Sequence, residues 1–164
     1  MKKIYLVTGA SGHLGTTLCS QLLDEGKTVR ALALPGEEKY VPSGVETITG
    51  DVTNPASLTD FFHHDEDEEI TVLHCAGIVT IASGSNPMVH KVNVEGTRNI
   101  LRLAQEQGAL KVVYVCSVHG LVEAEEGDTK ETPSYFPEQI DDQYGKSKAE
   151  AANIAFPDEA EKDS

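Results

Sequence analysis

Short apolar runs alternate along the chain with stretches in which apolar residues recur every three to four positions. The runs have the length and the aliphatic, β-branched composition of strands, and three of them lack the polar alternation of a half-exposed strand. Five strands are predicted, at residues 3–8, 28–34, 45–49, 70–75 and 111–117. Strands alternating with helices are typical of repeated β-α units, so we expect an α/β protein with a parallel sheet.

The ends of the helices can also be predicted. An apolar stripe formed by Leu14, Leu18 and Leu22 stops at Gly26, which we expect to cap the first helix in a left-handed conformation. Two later helices are predicted to begin at an asparagine N-cap followed by proline, at Asn54-Pro55 and at Asn86-Pro87, the second running to Gly108. A last helix is expected from about residue 144 to Pro157. Between residues 120 and 142 the periodicity disappears, which indicates a functional or flexible segment.

Composition and charge narrow the class of protein. The 164 residues suffice for one ordinary domain, and a net charge of −14, from 13 basic and 27 acidic residues, repels nucleic acid. We expect no membrane segment and no signal peptide, because the first apolar run ends after four residues. Three cysteines, at positions 19, 75 and 116, form no CxxC pair. Free thiols in a cytoplasmic protein are the favoured interpretation. No metal site is expected, since adjacent His63 and His64 do not share a helix face.

A glycine-rich loop directly follows the first predicted strand and opens the first helix. It reads Thr8-Gly9-Ala10-Ser11-Gly12-His13-Leu14-Gly15. Glycines allow a tight turn and a close approach to phosphates, while the free N–H groups and the dipole of the helix stabilise phosphate charge. The GxxGxxG spacing differs from the GxGxxG of many dehydrogenases. Its place between strand and helix nevertheless predicts a site for the pyrophosphate of a dinucleotide.

The end of the second strand leaves the choice of dinucleotide open. An acid at this point binds the free ribose of NAD, whereas an arginine accommodates the 2′-phosphate of NADP. The chain instead reads Arg30-Ala31-Leu32-Ala33-Leu34-Pro35, with neither charge at the expected place. The missing acid argues mildly against NAD, and Arg30 can alternate outward on its strand.

Tyr144 and Lys148 stand four residues apart, and therefore on one face of the last predicted helix. A nearby ammonium stabilises a phenolate, so the pair suggests proton transfer. The YxxxK spacing alone is weak, because it also occurs by chance in helices. Whether the pair indicates a catalytic site therefore depends on the motifs upstream of it.

Six motifs in order give the chain its resemblance to a known family. They are the glycine loop, Gly50-Asp51-Val52, His74-Cys75-Ala76-Gly77, Val92-Asn93-Val94-Glu95-Gly96-Thr97, Val115-Cys116-Ser117, and Tyr144-Gly145-Lys146-Ser147-Lys148. The chain resembles the extended short-chain dehydrogenase/reductase family, the NAD(P)-dependent epimerase, dehydratase and dihydroflavonol reductase-like group. The resemblance covers residues 1 to about 155.

The resemblance implies a Rossmann-type doubly wound parallel sheet in three α/β/α layers, with strand order 3-2-1-4-5. Residues 1–155 would form an NAD(P)-binding domain, and residues 156–164 an acidic tail. We expect the second half of the family's usual length, with its C-terminal substrate domain, to be missing after residue 155. We therefore expect a nucleotide-binding half whose activity in this form stays open.

The implied cofactor is NAD or NADP. Its implied contacts are Gly9, Ser11, Gly12, His13, Leu14, Gly15, Asp51, Val52, Cys75, Ala76, Gly77, Asn93, Val115, Tyr144 and Lys148. Asn93 has two readings: a place near the nicotinamide ribose and a proton-relay water, or a structural role that holds its helix to the fourth strand.

The implied catalytic residues are Ser117, Tyr144 and Lys148. Tyr144 would act as general acid or base on a hydroxyl or carbonyl of a small-molecule substrate, and Ser117 would hydrogen-bond the same oxygen. Lys148 would hold the nicotinamide ribose and stabilise the phenolate. The expected function is hydride transfer in an oxidoreductase, epimerase or dehydratase, with a homodimer as the plausible assembly. The alternative is a non-catalytic NAD(P)-binding module or redox-sensing regulator.

Overall fold

The computed structural model describes residues 1–80, 85–124, 127–130 and 134–157. Its contacts divide the chain into two compact units. The first consists of Met1–Ala76 and Asn99–Val115. The second consists of the described parts of Gly77–Arg98 and Cys116–Ser164.

The first unit contains a parallel sheet of five strands. In chain order these are β1 (Lys2–Thr8), β2 (Thr28–Ala33), β3 (Glu46–Thr49), β4 (Glu68–His74) and β5 (Lys111–Tyr114). Their order across the sheet is β3-β2-β1-β4-β5, as predicted. The central strand β1 pairs with β4 from Lys2↔Glu68 to Thr8↔His74. The carboxyl ends of both strands therefore reach the same edge of the sheet.

Burial along the strands follows their position in the sheet. The last five residues of β2 are all buried, which explains why they are apolar apart from Arg30. The outer strands β3 and β5 are more exposed. β5 ends at Tyr114, three residues before the predicted end, so Val115, Cys116 and Ser117 follow the strand instead of belonging to it.

Helix α1 (His13–Asp24) follows the glycine loop and ends as predicted near Gly26, whose φ is +72°. Its most buried line is different from the predicted leucine stripe. Gly15 and Cys19 are the buried positions, and Leu14 is 44% exposed. Leu18 and Leu22 are half-buried, and Leu22 packs against the core that contains Cys19, so only part of the predicted stripe faces inward. The absence of a side chain at Gly15 allows the helix backbone to approach the loop closely.

The two asparagine-proline signals have different outcomes. Asn54 precedes a 3-10 turn (Pro55–Leu58) and the short helix α2 (Thr59–Phe62), so the expected helix is only two short pieces. Asn86 is a true N-cap, and its side chain accepts a hydrogen bond from the Met88 N–H. The helix that it opens has three parts: α3 (Pro87–His90), a π-helical segment (Lys91–Gly96) and α4 (Thr97–Glu106).

The second unit contains the last helix, α5 (Gln143–Ala155), close to the predicted bounds. Asp142 caps it by accepting a hydrogen bond from Gly145 N–H at 2.7 Å. The described parts of the irregular stretch before it include the 3-10 turns Val118–Gly120 and Pro137–Gln139. Glu125, Glu126 and Pro133 of that stretch, and residues 158–164 of the predicted tail, lie outside the described residues.

Candidate dinucleotide-binding and active-site residues

The glycine loop is fixed by contacts that leave no room for side chains at two positions. Gly9 has φ +65°, and a Cβ there would lie 2.7 Å from the Ala76 backbone nitrogen. A Cβ on Gly15 would overlap the carbonyl oxygen of Gly9 and lie 2.7 Å from Ala10 Cα. Gly12 is the N-cap of α1 and offers no side chain to the first N–H groups. Those N–H groups are therefore suited to an anion.

Thr8 connects the ends of β1 and β4. Its hydroxyl oxygen accepts hydrogen bonds from the N–H groups of Cys75 and Ala76, at 3.2 and 3.1 Å. It also lies 2.7 Å from Nδ1 of the buried His74. Because two N–H groups already donate to that oxygen, the Thr8 hydroxyl itself donates a hydrogen bond to His74 Nδ1. This cluster fixes the backbone of the candidate contacts Cys75 and Ala76, and Val115 N–H in turn donates to the His74 carbonyl.

Asp51 and Val52 follow β3 in a turn held by neighbouring side chains. The Asp51 carboxylate accepts hydrogen bonds from the N–H and the hydroxyl of Thr53, both at 2.8 Å. Val52 is buried, and its carbonyl accepts a hydrogen bond from the Asn99 side-chain amide at 2.9 Å. Sequence reasoning missed Asn99, since its partner is a backbone atom 47 residues away.

The charged residues near the end of β2 are arranged differently from the prediction. Arg30 does not alternate outward: it is 8% exposed, pairs with Glu46 at 2.7 Å and donates to the carbonyls of Phe61 and His63. An acid does reach the glycine loop, but from beyond the strand. Glu37 accepts a hydrogen bond from the Ser11 hydroxyl at 2.6 Å. The available signal was the turn-forming Pro35-Gly36 pair, which the sequence prediction did not use.

In the second unit, Asn93 joins three segments through its amide. Its Oδ1 accepts from Ile78 N–H at 2.7 Å, and its Nδ2 donates to the Ile78 carbonyl and to Ser147 Oγ, at 3.0 and 2.9 Å. A Cβ on Gly77 would lie 3.3 Å from Asn93 Oδ1 and 3.8 Å from Lys148 Nζ. Asn93 thus ties its helical segment to Ile78, after the end of β4, and to Ser147 on α5, and both readings of its role stay predictions. Lys148 Nζ lies next to Gly77.

The second unit also contains all three predicted catalytic residues. Lys148 is only 6% exposed, and Tyr144 lies one turn before it on α5. Ser117 accepts a hydrogen bond from His119 N–H at 3.2 Å, and the ring centroids of His119 and Tyr144 are 5.8 Å apart.

The segment from Cys116 to Gly120 packs closely along α5. Cys116 Sγ lies 3.8 Å from the Lys148 carbonyl oxygen. A Cβ on Gly120 would lie 3.3 Å from the Ala149 nitrogen, and one on Gly145 would overlap the His119 carbonyl oxygen. These close backbone contacts hold Ser117 beside the first turns of the helix that carries Tyr144 and Lys148.

A cavity of about 350 Å³ lies in the second unit beside this segment. Its lining combines three carboxylates and one imidazole with apolar and amide groups. The residues are His119, Leu121, Val122, Glu123, Gln139, Ile140, Asp141 and Asp142. Since the His119 ring also contacts Tyr144, the cavity is next to the candidate acid-base residue.

The described part of the chain has neither a metal-binding cluster nor a membrane-spanning helix. No group of three histidine, cysteine, aspartate or glutamate residues is arranged to hold a metal ion there. Among the same residues, no helix has the length and apolar character needed to cross a membrane.

Comparisons with known proteins agree on the family. Residues 5–161 match the NAD dependent epimerase/dehydratase family. The chain is 32% identical to sterol demethylase protein B of Methylococcus capsulatus over 146 residues, which are 88% of this chain and 43% of that protein. It is also 32% identical to 3 beta-hydroxysteroid dehydrogenase type 7 of Mus musculus over 124 residues, which are 70% of this chain and 32% of that protein.

A solved structure of UDP-galactose 4-epimerase has the same fold. It superimposes with a TM-score of 0.69 at 25% identity, over 91% of this chain and 48% of that one. The chain thus spans less than half the length of each of these relatives.

Fold and sequence together place the chain among Rossmann-type short-chain dehydrogenases/reductases. It belongs to the NAD-dependent epimerase/dehydratase family. The predicted family and fold are confirmed, and the nicotinamide dinucleotide predicted as cofactor agrees with the family description, which specifies NAD.

Proposed function

We propose that residues 1–155 form the NAD-binding and catalytic portion of an NAD-dependent oxidoreductase, epimerase or dehydratase. The observation that supports this most strongly is the arrangement of the second unit, where Ser117 is held beside the helix that carries Tyr144 and the buried Lys148. A protein that only binds a nucleotide does not need this set of side chains.

In the proposed mechanism, Tyr144 donates a proton to, or removes one from, the substrate oxygen that changes between hydroxyl and carbonyl. Ser117 donates a hydrogen bond to the same oxygen and stabilises the charge that develops on it. Lys148 stabilises the phenolate form of Tyr144 through its positive charge. Bound NAD supplies the acceptor or donor of hydride.

The residues of the first unit fit the phosphate end of such a cofactor. Gly9 and Gly15 keep the loop free of side chains where the backbone must approach closely, and the uncapped N–H groups after Gly12 suit a pyrophosphate. The proposed contacts of the adenine and its ribose are the turn at Asp51 and Val52. In the second unit, Lys148 would bind the nicotinamide ribose, while Gly77 and Asn93 shape the surface beside its ammonium.

The cavity beside Tyr144 supports a proposal for the type of substrate. Three carboxylates line it and would repel a phosphorylated ligand, whereas an uncharged or cationic hydroxy or keto compound avoids this repulsion. Sterol and 3β-hydroxysteroid compounds, named in two of the relatives, are therefore the first substrates to test. The homodimer and the cytoplasmic location stay predictions.

The decisive experiment compares the wild-type chain with Tyr144→Phe, which keeps the ring and removes the acidic hydroxyl. Binding of NADH is measured by fluorescence titration, and turnover is measured with 3β-hydroxysteroids and small alcohols. We expect a loss of turnover of about 100-fold or more and a much smaller change in NADH affinity. Tyr40→Phe is the matched control, because Tyr40 is exposed and belongs to the first unit.

The outcomes distinguish the candidate functions. Turnover that survives in Tyr144→Phe would contradict the acid-base assignment. Cofactor binding without turnover in the wild-type chain would favour the non-catalytic binding module. Absence of affinity for any nicotinamide dinucleotide would exclude both functions.

A further inference from the structure

We propose that Glu37 is the residue that selects NAD against NADP in this protein. The inference rests on the proposed binding of a nicotinamide dinucleotide and concerns the first unit alone. It assigns a role to a residue that lies outside the strand and outside every motif quoted above.

A tight turn brings Glu37 back to the glycine loop. Glu37 N–H donates to the Leu34 carbonyl at 2.9 Å, with Pro35 and Gly36 between them. Gly36 has φ +86°, the conformation that a type II turn requires at its third position, and proline is favoured at the second. The turn reverses the chain after β2, so the carboxylate reaches Ser11 although it stands four residues beyond the end of the strand.

The Glu37 carboxylate is suited to accept a hydroxyl group. One of its oxygens, Oε2, accepts the Ser11 hydroxyl proton at 2.6 Å, and the side chain is half-buried. A carboxylate has several acceptor positions, so it can accept further hydrogen bonds, such as those from the hydroxyls of an adenosine ribose. In Rossmann-type folds an acid near the end of the second strand has this task. Here the turn supplies the acid that the strand itself lacks.

The arginine of β2, the type of residue that accommodates a 2′-phosphate, is committed elsewhere. Arg30 is buried against Glu46 and the carbonyls of Phe61 and His63. Lys39, the only basic residue in residues 34–40, lies over the Tyr40 ring at 5.0 Å from its centroid. A 2′-phosphate beside Glu37 would therefore meet a like charge, and the result is selection for the free ribose.

Binding is tested by calorimetry with NAD and NADP. It is repeated with ADP-ribose and 2′-phospho-ADP-ribose, which lack the nicotinamide. We expect the unphosphorylated member of each pair to bind at least about tenfold more tightly to the wild-type chain at low salt. The preference should shrink as salt rises, because part of it is electrostatic. Glu37→Gln should weaken binding of the unphosphorylated ligand and strengthen that of the phosphorylated one.

The matched control is Glu38→Gln. Glu38 is the next residue in the chain, but its carboxylate accepts from the Thr49 hydroxyl at 2.8 Å and not from the glycine loop. The control should keep the wild-type preference, and thermal melting verifies that both variants are folded.

The outcomes separate this inference from the proposed function. Equal binding of NAD and NADP to the wild-type chain, or an unchanged preference in a folded Glu37→Gln variant, would overturn the role of Glu37 and leave cofactor binding intact. If none of the four ligands binds, the proposed function itself fails. Should Glu37→Gln not fold, equal binding of NAD and NADP to the wild-type chain would still overturn the role of Glu37, while a preference for NAD that shrinks with salt would support it.

Discussion

At the scale of single residues, substitution of Gly9 measures how tightly the glycine loop is packed. Gly9 and Gly108 both have φ +65°, but a Cβ on Gly9 would lie 2.7 Å from a backbone atom, whereas one on Gly108 meets no described atom within 4 Å. Gly108→Ala should cost about 1 kcal/mol through its positive φ alone. Gly9→Ala should cost a further 1–3 kcal/mol, roughly, because backbone must move.

The measurement is urea denaturation of both variants and the wild-type chain. Gly9→Ala should also abolish NADH binding, while Gly108→Ala should keep it. An equal loss of unfolding free energy in the two variants would show that the Ala76 backbone moves aside at little cost, which would contradict the tight packing of the loop.

Cys19 gives a prediction about pH. Burial, with a smaller contribution from Cys75, raises the pKa of the Cys19 thiol to about 11, from an ordinary value near 9. The folded state therefore favours the neutral thiol, and its stabilising effect is complete below pH 9. As pH rises from 9 to 11, the unfolded chain loses this proton first, and stability falls by up to about 2–3 kcal/mol.

Urea denaturation between pH 8 and pH 11 measures this effect in the wild-type chain and in Cys19→Ala. The variant loses some packing at every pH, but its stability should fall less steeply above pH 9. Parallel curves for the two proteins would show that Cys19 does not cause the pH dependence.

Single residues differ in how far the sequence could predict them. Tyr144 and Lys148 are four positions apart in one helix, so their shared face follows from helix geometry alone. Glu37 and Asn99 could not be found in this way. Glu37 reaches Ser11 only through a turn of defined type, and Asn99 bonds a backbone atom distant in sequence.

At the scale of elements, the start of α5 depends on its N-cap. The Asp142 carboxylate accepts a hydrogen bond from Gly145 N–H at 2.7 Å, one residue after Tyr144. Asp142→Ala should therefore destabilise the chain by about 1 kcal/mol. Loss of the first turn should also displace Tyr144 and lower turnover more than NADH affinity.

Asp141→Ala is the matched control. Asp141 lines the same cavity, so its substitution removes the same charge there, but it does not cap the helix, since the N-cap is Asp142. Thermal melting and steady-state kinetics of both variants test the prediction. Equal losses in the two variants would indicate that charge in the cavity, and not the cap, is what matters.

The elements themselves were largely predictable, with one informative exception. Apolar runs and asparagine-proline signals located the five strands and the start of α3. The π-helical segment Lys91–Gly96 was not predicted, because the apolar pattern fits an uninterrupted helix equally well. It contains Asn93, whose carbonyl accepts the Thr97 hydroxyl at 2.6 Å and whose amide joins Ile78 to Ser147. Such segments are frequent at functional sites.

At the scale of the whole molecule, topology was predictable because the family resemblance supplied it. Periodicity indicated a parallel sheet, but only the six ordered motifs implied the order β3-β2-β1-β4-β5. The substrate could not be predicted in the same way. The chain spans less than half the length of its relatives, and the function of a Rossmann-type fold depends on its site and not on the fold.

The net charge of −14 leads to a prediction for the complete chain. The exposed ion pairs Arg98–Glu95 and Arg102–Glu106 contribute little, typically less than about 1 kcal/mol each. With 27 acids and 13 bases, at least 14 carboxylates have no matching cation, so mutual repulsion should dominate the electrostatics of the folded state. Raising salt from about 0.01 to 0.15 M shortens the screening length from about 30 to 8 Å and weakens this repulsion.

We therefore expect Tm to rise over this salt range, and NADH affinity to rise or stay constant. The second expectation follows because the dinucleotide is itself an anion approaching an anionic protein. Thermal melting and fluorescence titration in NaCl and in choline chloride test both, since the two salts screen alike but differ in their cation. A Tm that falls with both salts would mean that ion pairs such as Arg30–Glu46 outweigh the excess of carboxylates.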